Sequence, residues 1–225
     1  MFEKVETARL TLRRPEPGDA AAIFARYASD KEVTRLLAWP RHITIQATRT
    51  FLEFSDVEWS KWPVGPYLIE SRQDKILLGS TGLVFEKPEC AATGYVLAKD
   101  SWGHGYATEA LRAVTEIARN AGTLGLYAVC HLENLVSERG LQKCGFKLER
   151  ILTRHCKFPN LREDDLCDML CYGIHLDECN REIFHQLTTR ASCRSTGWLF
   201  CAFSARDQCW WTHNLPNTIG KTQRV

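Results

Sequence analysis

The apolar positions change period near residue 105. Upstream, Tyr95-Val96-Leu97 is a short β-favouring run held between Gly94 and the polar Lys99-Asp100-Ser101. Downstream, Ala107, Ala110, Leu111, Val114, Ile117 and Ala118 fall at i, i+3, i+4, i+7, i+10 and i+11, the repeat of one helical face. Glu109, Arg112, Glu116 and Arg119 take the other face at spacings that allow ion pairs. Gly103 and Gly105 stand between the two patterns, and Asn120-Ala121-Gly122 supplies a stop. The pattern predicts a strand, a glycine turn and a helix.

The flanking sequence builds a sheet around that unit. Leu10 to Arg14 alternates as an opening strand, broken by Pro15-Glu16-Pro17-Gly18, and Asp19 is placed to cap a helix over Ala20 to Ala28. A second helix is predicted from Gln46 to Trp59. The apolar connection Leu36 to Pro40 reads either as a packed loop or as a wall of an acceptor pocket. Tyr67 to Glu70 and Leu77 to Phe85 are strands joined by a short polar turn, hence antiparallel neighbours. Leu126 to His131 is a further strand, and strand–helix–strand connections make its pairing with the Tyr95 strand parallel. A short helix from Leu135 to Lys143 closes at Gly145, and Phe146 to Thr153 and Asp168 to Ile174 finish as strands. The expected fold class is α+β: a mixed, mostly antiparallel sheet flanked by helices, with a central βαβ unit.

Beyond Leu176 no period is sustained, so residues 1–176 are expected to form the domain and 177–225 an irregular C-terminal extension. That extension is either without a role, even out-of-frame coding, or a partner-binding tail. The net charge of +2 gives no reason to invoke nucleic acid. Glu3, Lys4, Glu6 and Arg9 break any apolar core of a signal peptide, and no run approaches the ~18 apolar residues of a membrane span. Ten cysteines are then expected to sit reduced in a cytoplasm. Cys167, Cys171, His175 and Cys179 recur every four residues, but on a helix the outer two stand ~18 Å apart, too far for one ion. No metal is expected.

A glycine turn before a helix leaves backbone N–H groups and the positive end of a helix dipole facing an opening, which is a phosphate cradle. The chain has no Gly-Lys-Ser/Thr ending of a nucleoside triphosphatase loop. A dinucleotide loop wants an acid about 20 residues on, and the nearest, Glu133, lies 30 residues after Gly103.

The stretch Trp102-Gly103-His104-Gly105-Tyr106-Ala107-Thr108-Glu109-Ala110 resembles the acetyl-CoA pyrophosphate loop of the GNAT acyltransferases, and most of all their RimJ/RimL-type branch. A second block, Asn134 to Ser137 and on through Leu141 to Phe146, resembles that family's following segment at the right distance. The resemblance runs from about Thr7 to His175. It implies a GNAT-like sheet whose central βαβ unit binds acyl-CoA. Trp102 to Thr108 would hold the pyrophosphate, Leu97 and Ala98 would contact the pantetheine arm, and Asn134 would hold it from the other wall. Lys143 either meets an outer phosphate or lies in solvent. Ser137 matches a family serine that faces the thioester sulfur; its other reading is a helix-start hydroxyl.

Acyl transfer also needs a neutral amine, and thus a base or a water chain. Tyr95 to Ala98 offers no glutamate, which leaves Glu70, Glu86 and Glu89 as candidates and Glu109 as a structural residue. Direct transfer needs no cysteine nucleophile. Three functions stay open: an N-acetyltransferase acting on a protein N-terminus or a small amine, as monomer or homodimer; a non-catalytic acyl-CoA-binding module; and a nicotinamide-dependent oxidoreductase.

Overall fold

The structure is a computed structural model that describes residues 2–176, the side chains of residues 162–164 excepted. Eight strands form one sheet: β1 (Lys4–Glu6), β2 (Leu10–Arg13), β3 (Pro66–Ser71), β4 (Leu77–Lys87), β5 (Cys90–Leu97), β6 (Gly125–His131), β7 (Lys147–Phe158) and β8 (Arg162–His175). They lie in the order β1-β2-β3-β4-β5-β6-β8-β7. Only the β5–β6 pair is parallel. Five helices flank the sheet: α1 (Ala20–Ile23), α2 (Lys31–Thr34), α3 (Ile45–Lys61), α4 (Tyr106–Asn120) and α5 (Leu135–Lys143).

Helices cover both faces, as strand alternation requires. On one face, Ala110, Leu111, Val114 and Ile117 of α4 pack on Leu10, Leu12, Tyr67 and Ile69. On the other, Phe51 and Leu52 of α3 and Ile23 of α1 pack on Leu68, Val84 and Val96. Each fully buried leucine or isoleucine contributes roughly 1.5–3 kcal/mol, so α4 is held chiefly by the stripe that its period announced.

Several expectations need correction. The helix expected over Ala20 to Ala28 is α-helical only to Ile23, and Phe24–Ala28 form a π turn. Asp19 does not cap it; its carboxylate is bonded to the Arg13 guanidinium at 2.6–2.8 Å and to the Glu16 N–H at 2.7 Å. Gly94 does not bound its strand, because β5 starts at Cys90 and the Gly94 carbonyl accepts from the Thr81 hydroxyl at 2.7 Å. The last two strands are longer than expected and form a hairpin. Two elements carried too little pattern to be predicted. β1 is a three-residue edge strand with one apolar side chain, and α2 is a single turn capped by Asp30, whose Oδ1 accepts from Glu32 and Val33 N–H groups at 2.7 and 2.9 Å. The expectations for residues 177–225, Cys179 included, lie outside the described residues.

Candidate active site

The parallel pair opens part of the way along. The ladder between β5 and β6 ends at Ala92↔Tyr127, and the strands diverge beyond it. The wedge is lined by Gly94 and Tyr95 from β5, Val129 and Cys130 from β6, Asn134 and Ser137 from α5, and Leu36 and Leu37 from the chain after α2. The Leu36–Pro40 connection therefore divides its two readings: Leu36 and Leu37 face the cleft, while Ala38 and Trp39 are buried in packing.

The glycine turn lies just past the C-terminal end of β5, on the open side of the divergence. Gly103 and Gly105 have φ of +77° and +78°, a left-handed conformation that β-branched residues resist. Gly105 is the N-cap of α4, and no side chain caps that end. The first helical bond runs from Glu109 N–H to the Gly105 carbonyl at 3.1 Å, so the preceding amides through Ala107 and Thr108 have no partner within the helix. Trp102 donates its indole N–H to the Leu97 carbonyl at 2.9 Å, tying the loop to the strand. His104 stacks on Tyr106, and the Arg9 guanidinium lies 4.7 Å above the Tyr106 ring.

Arg9 and Glu109 lock this loop to the β1–β2 turn. The Glu109 carboxylate accepts from the Thr7 hydroxyl (2.6 Å), the Arg9 N–H (2.8 Å) and Arg9 Nε (2.6 Å), and Arg9 Nη1 donates to the His104 carbonyl at 2.9 Å. Burial pushes this carboxyl up, but the Thr7 and Arg9 donors outweigh it and hold the group below the ordinary glutamate range. The structural reading of Glu109 is the one the geometry supports.

At the other wall, Asn134 caps α5: its Oδ1 accepts from the Ser137 N–H at 3.2 Å. That bond leaves the Asn134 amide NH2 to meet a ligand and fixes the start of the helix from which Ser137 lines the cleft. Tyr95, whose phenol burial pushes up to about 12, lines the same cleft as Ser137. Tyr95 fits against the helix because residue 140 is glycine; a Cβ there would lie 2.5 Å from the phenol oxygen. The sequence marked Tyr95 as a strand residue and gave no signal that its phenol packs against α5.

The other expected residues sort by what their atoms already do. Ala98 gives its N–H to Leu78 at 2.8 Å and its carbonyl accepts from Ser101 at 2.9 Å. The Leu97 carbonyl accepts from the Trp102 indole at 2.9 Å. Lys143 is exposed at the end of α5, and its carbonyl accepts from Arg112 at 3.2 Å.

No carboxylate lines the wedge among the described residues. Glu70 is paired with Arg13 on β3. Glu86 accepts from the Tyr127 hydroxyl at 2.6 Å, and Glu89 is exposed in the β4–β5 turn, both at the closed end of the β5–β6 pair. Glu138, on α5, takes the Tyr172 hydroxyl at 2.6 Å. Cys130 is held up at about 12 by burial and then by Glu138, which suits it to packing rather than attack.

Residues 9–147 match the model of the acetyltransferase (GNAT) domain. The chain belongs to this family and is an acyltransferase; the family uses acetyl-CoA. A relative named uncharacterized N-acetyltransferase YoaA, from Bacillus subtilis (strain 168), is 31% identical over 163 residues, 69% of this chain and 89% of its own. The uncharacterized protein YkkB of the same organism is 26% identical over 155 residues, 67% of this chain and 89% of its own. Among solved structures, the RimL ribosomal-protein acetyltransferase bound to coenzyme A superposes with a TM-score of 0.68 at 21% identity, covering 77% of this chain and 98% of that one. The microcin C7 self-immunity acetyltransferase MccE, in complex with acetyl-CoA and AMP, gives 0.67 at 20%, covering 75% and 93%. At such identities these structures show the shared fold alone. Among the described residues, no helix is long and apolar enough to cross a membrane.

Proposed function

We propose that this protein moves the acetyl group of acetyl-CoA to a primary amine, of a protein N-terminus or a small molecule, by direct attack. The observation that carries the reading is an uncapped helix N-terminus behind two left-handed glycines, at the mouth of a cleft holding the Tyr95 and Ser137 hydroxyls. The free amides of α4 and its dipole suit a pyrophosphate. The opened edge of β5 suits an arm that pairs as an added strand.

Acetyl-CoA supplies the activated acyl group and a thiolate leaving group. The chain's residues then have two tasks. Asn134 and the β5 edge hold the arm so that the thioester sulfur meets Ser137. The Ser137 hydroxyl stabilises the departing thiolate, in a cleft also lined by Tyr95, a phenol that stays protonated at neutral pH. Among the described residues no carboxylate lines the cleft to take the amine proton, so ordered water serves as the acceptor.

Free-thiol release from acetyl-CoA, screened over small amines and N-terminal peptides, tests this reading. Release with at least one amine is expected. Binding of acetyl-CoA with no release for any primary amine overturns the amine acceptor, and a melting shift with NAD but none with acetyl-CoA overturns the whole reading.

A further inference from the structure

The wall of the cleft opposite Ser137 is shaped by one side chain far along the chain. Residues 35–41, between α2 and α3, form no helix or strand. Their backbone groups, with that of Thr34, converge on Asn160, in the turn between β7 and β8. The Asn160 amide nitrogen donates to the carbonyls of Thr34 at 2.9 Å and Trp39 at 2.8 Å, with a longer contact to Leu37 at 3.4 Å. Its Oδ1 accepts from the Arg41 N–H at 2.7 Å. One carboxamide thus uses donor and acceptor together on a loop 119 to 126 residues away.

That loop sends Leu36 and Leu37 into the cleft and sets Trp39 beside His42, lining a second cavity with Tyr27 and Ser80. Ala38 packs on Cys156 and Phe158 of the same hairpin. Further ties, His42 N–H to the Ala28 carbonyl at 2.9 Å and Arg41 Nη1 to the Ser29 carbonyl at 3.3 Å, hold only the loop's far end. Within Thr34 to Trp39 the one local backbone tie is Leu37 N–H to the Thr34 carbonyl at 3.0 Å, and Asn160 holds both ends of that turn from across the fold.

We infer that Asn160 is a positioning residue for the acceptor: it fixes the Leu36–Leu37 wall and so decides which amines fit beside the thioester. This rests on the transferase reading. Asn160 touches none of the cleft-lining elements on the donor side. Its removal changes acceptor recognition and leaves acetyl-CoA binding alone.

The test uses the full chain with Asn160→Ala and Asn160→Asp. The second keeps an acceptor for Arg41 and loses the donors to Thr34 and Trp39. The expected result is an acetyl-CoA dissociation constant within about twofold of wild type. The ratio of kcat/KM between a compact and a bulky amine should change by about tenfold, mostly through KM. Backbone hydrogen exchange over residues 34–42, which needs no acceptor, should speed up in both variants, with the Arg41 amide more protected in Asn160→Asp than in Asn160→Ala. An unchanged ratio, or acetyl-CoA affinity lost in step with turnover, overturns the inference. So does a wild-type loop that exchanges as fast as either variant, a result readable even if a variant folds poorly. Wild-type protein that releases no thiol with any amine removes the transferase reading, and exchange then decides alone whether Asn160 holds the loop.

Discussion

The two mouths of the cleft are built in different ways. On the side proposed to take the donor, the glycine loop is made from consecutive residues: two left-handed glycines and the open amides of the helix that follows them. On the acceptor side, the wall is an irregular segment whose shape depends on Asn160, and whose neighbour His42 is buried against Thr48. A donor site made of backbone binds one shared cosubstrate. A wall made of side chains can change with single substitutions while the donor site is left intact.

The comparison breaks most directly at Gly105. A valine there must hold φ near +78°, and its methyls enter the opening beside the Arg9 guanidinium, which a Cβ alone would approach to 3.6 Å. Gly105→Val should lower acetyl-CoA affinity by about a hundredfold or more, while the strain removes roughly 1–2 kcal/mol of stability. Calorimetric titration beside a denaturant melt separates the two. Equal losses in both would make the loop an ordinary turn.

Ser137→Ala is the next largest. Acid–base assistance is typically worth about 10²–10⁴-fold, and an interaction made only as charge develops on sulfur lowers kcat without weakening ground-state binding. A fall of about a hundredfold in kcat with unchanged acetyl-CoA affinity is expected. Unaltered turnover would assign the proton to water.

How far the sequence could be read follows the same division. The glycine turn and α4 were legible because their information is local: glycine spacing and helical period. The short pieces β1 and α2 were not, since three or four residues carry no period. The sites of Glu70, Glu86 and Glu89 were not legible either, because proximity in a sheet depends on register and on which end of β5 stays closed. Asn160 gave no signal at all. A turn asparagine is ordinary in sequence, and its partners lie more than a hundred residues away. Glu109 was legible as structural only from its place on a helix; Thr7 and Arg9, which explain it, are equally remote.

Acidity sharpens the comparison on the acceptor side. Burial lowers the His42 pKa to about 4, so the folded protein keeps this imidazole neutral. The unfolded chain protonates near 6.5 and binds the extra proton first. The stability from His42 is therefore whole above pH 6.5 and is lost as the pH falls towards 4, by at most about 1.4 kcal/mol per pH unit. In His42→Gln, the pH dependence of chemical denaturation between 6.5 and 5 should flatten. Glu109, with its pKa below the ordinary range, adds a loss only at still lower pH, as the fall continues through that folded value. An unchanged slope in the variant would place the imidazole in contact with solvent.

The smallest effect is expected at Asn134, whose two ends are given different tasks on the donor side. Its Oδ1 caps α5, while its NH2 is the group proposed to hold the pantetheine arm. Alanine would remove both, costing about 1 kcal/mol of cap energy and shifting Ser137, so any loss of binding would be ambiguous. Aspartate separates them. Asp and Asn are nearly equal as caps, and a carboxylate at a helix N-terminus is favoured by the dipole. Asn134→Asp should therefore melt at or slightly above the wild-type temperature. It should weaken acetyl-CoA about three- to tenfold, the size of one lost hydrogen bond of about 0.5–1.5 kcal/mol. Acceptor selectivity should not move, because residues 34–41 do not depend on this side chain. Undiminished acetyl-CoA affinity in Asn134→Asp would limit Asn134 to capping the helix and leave the arm to the β5 edge.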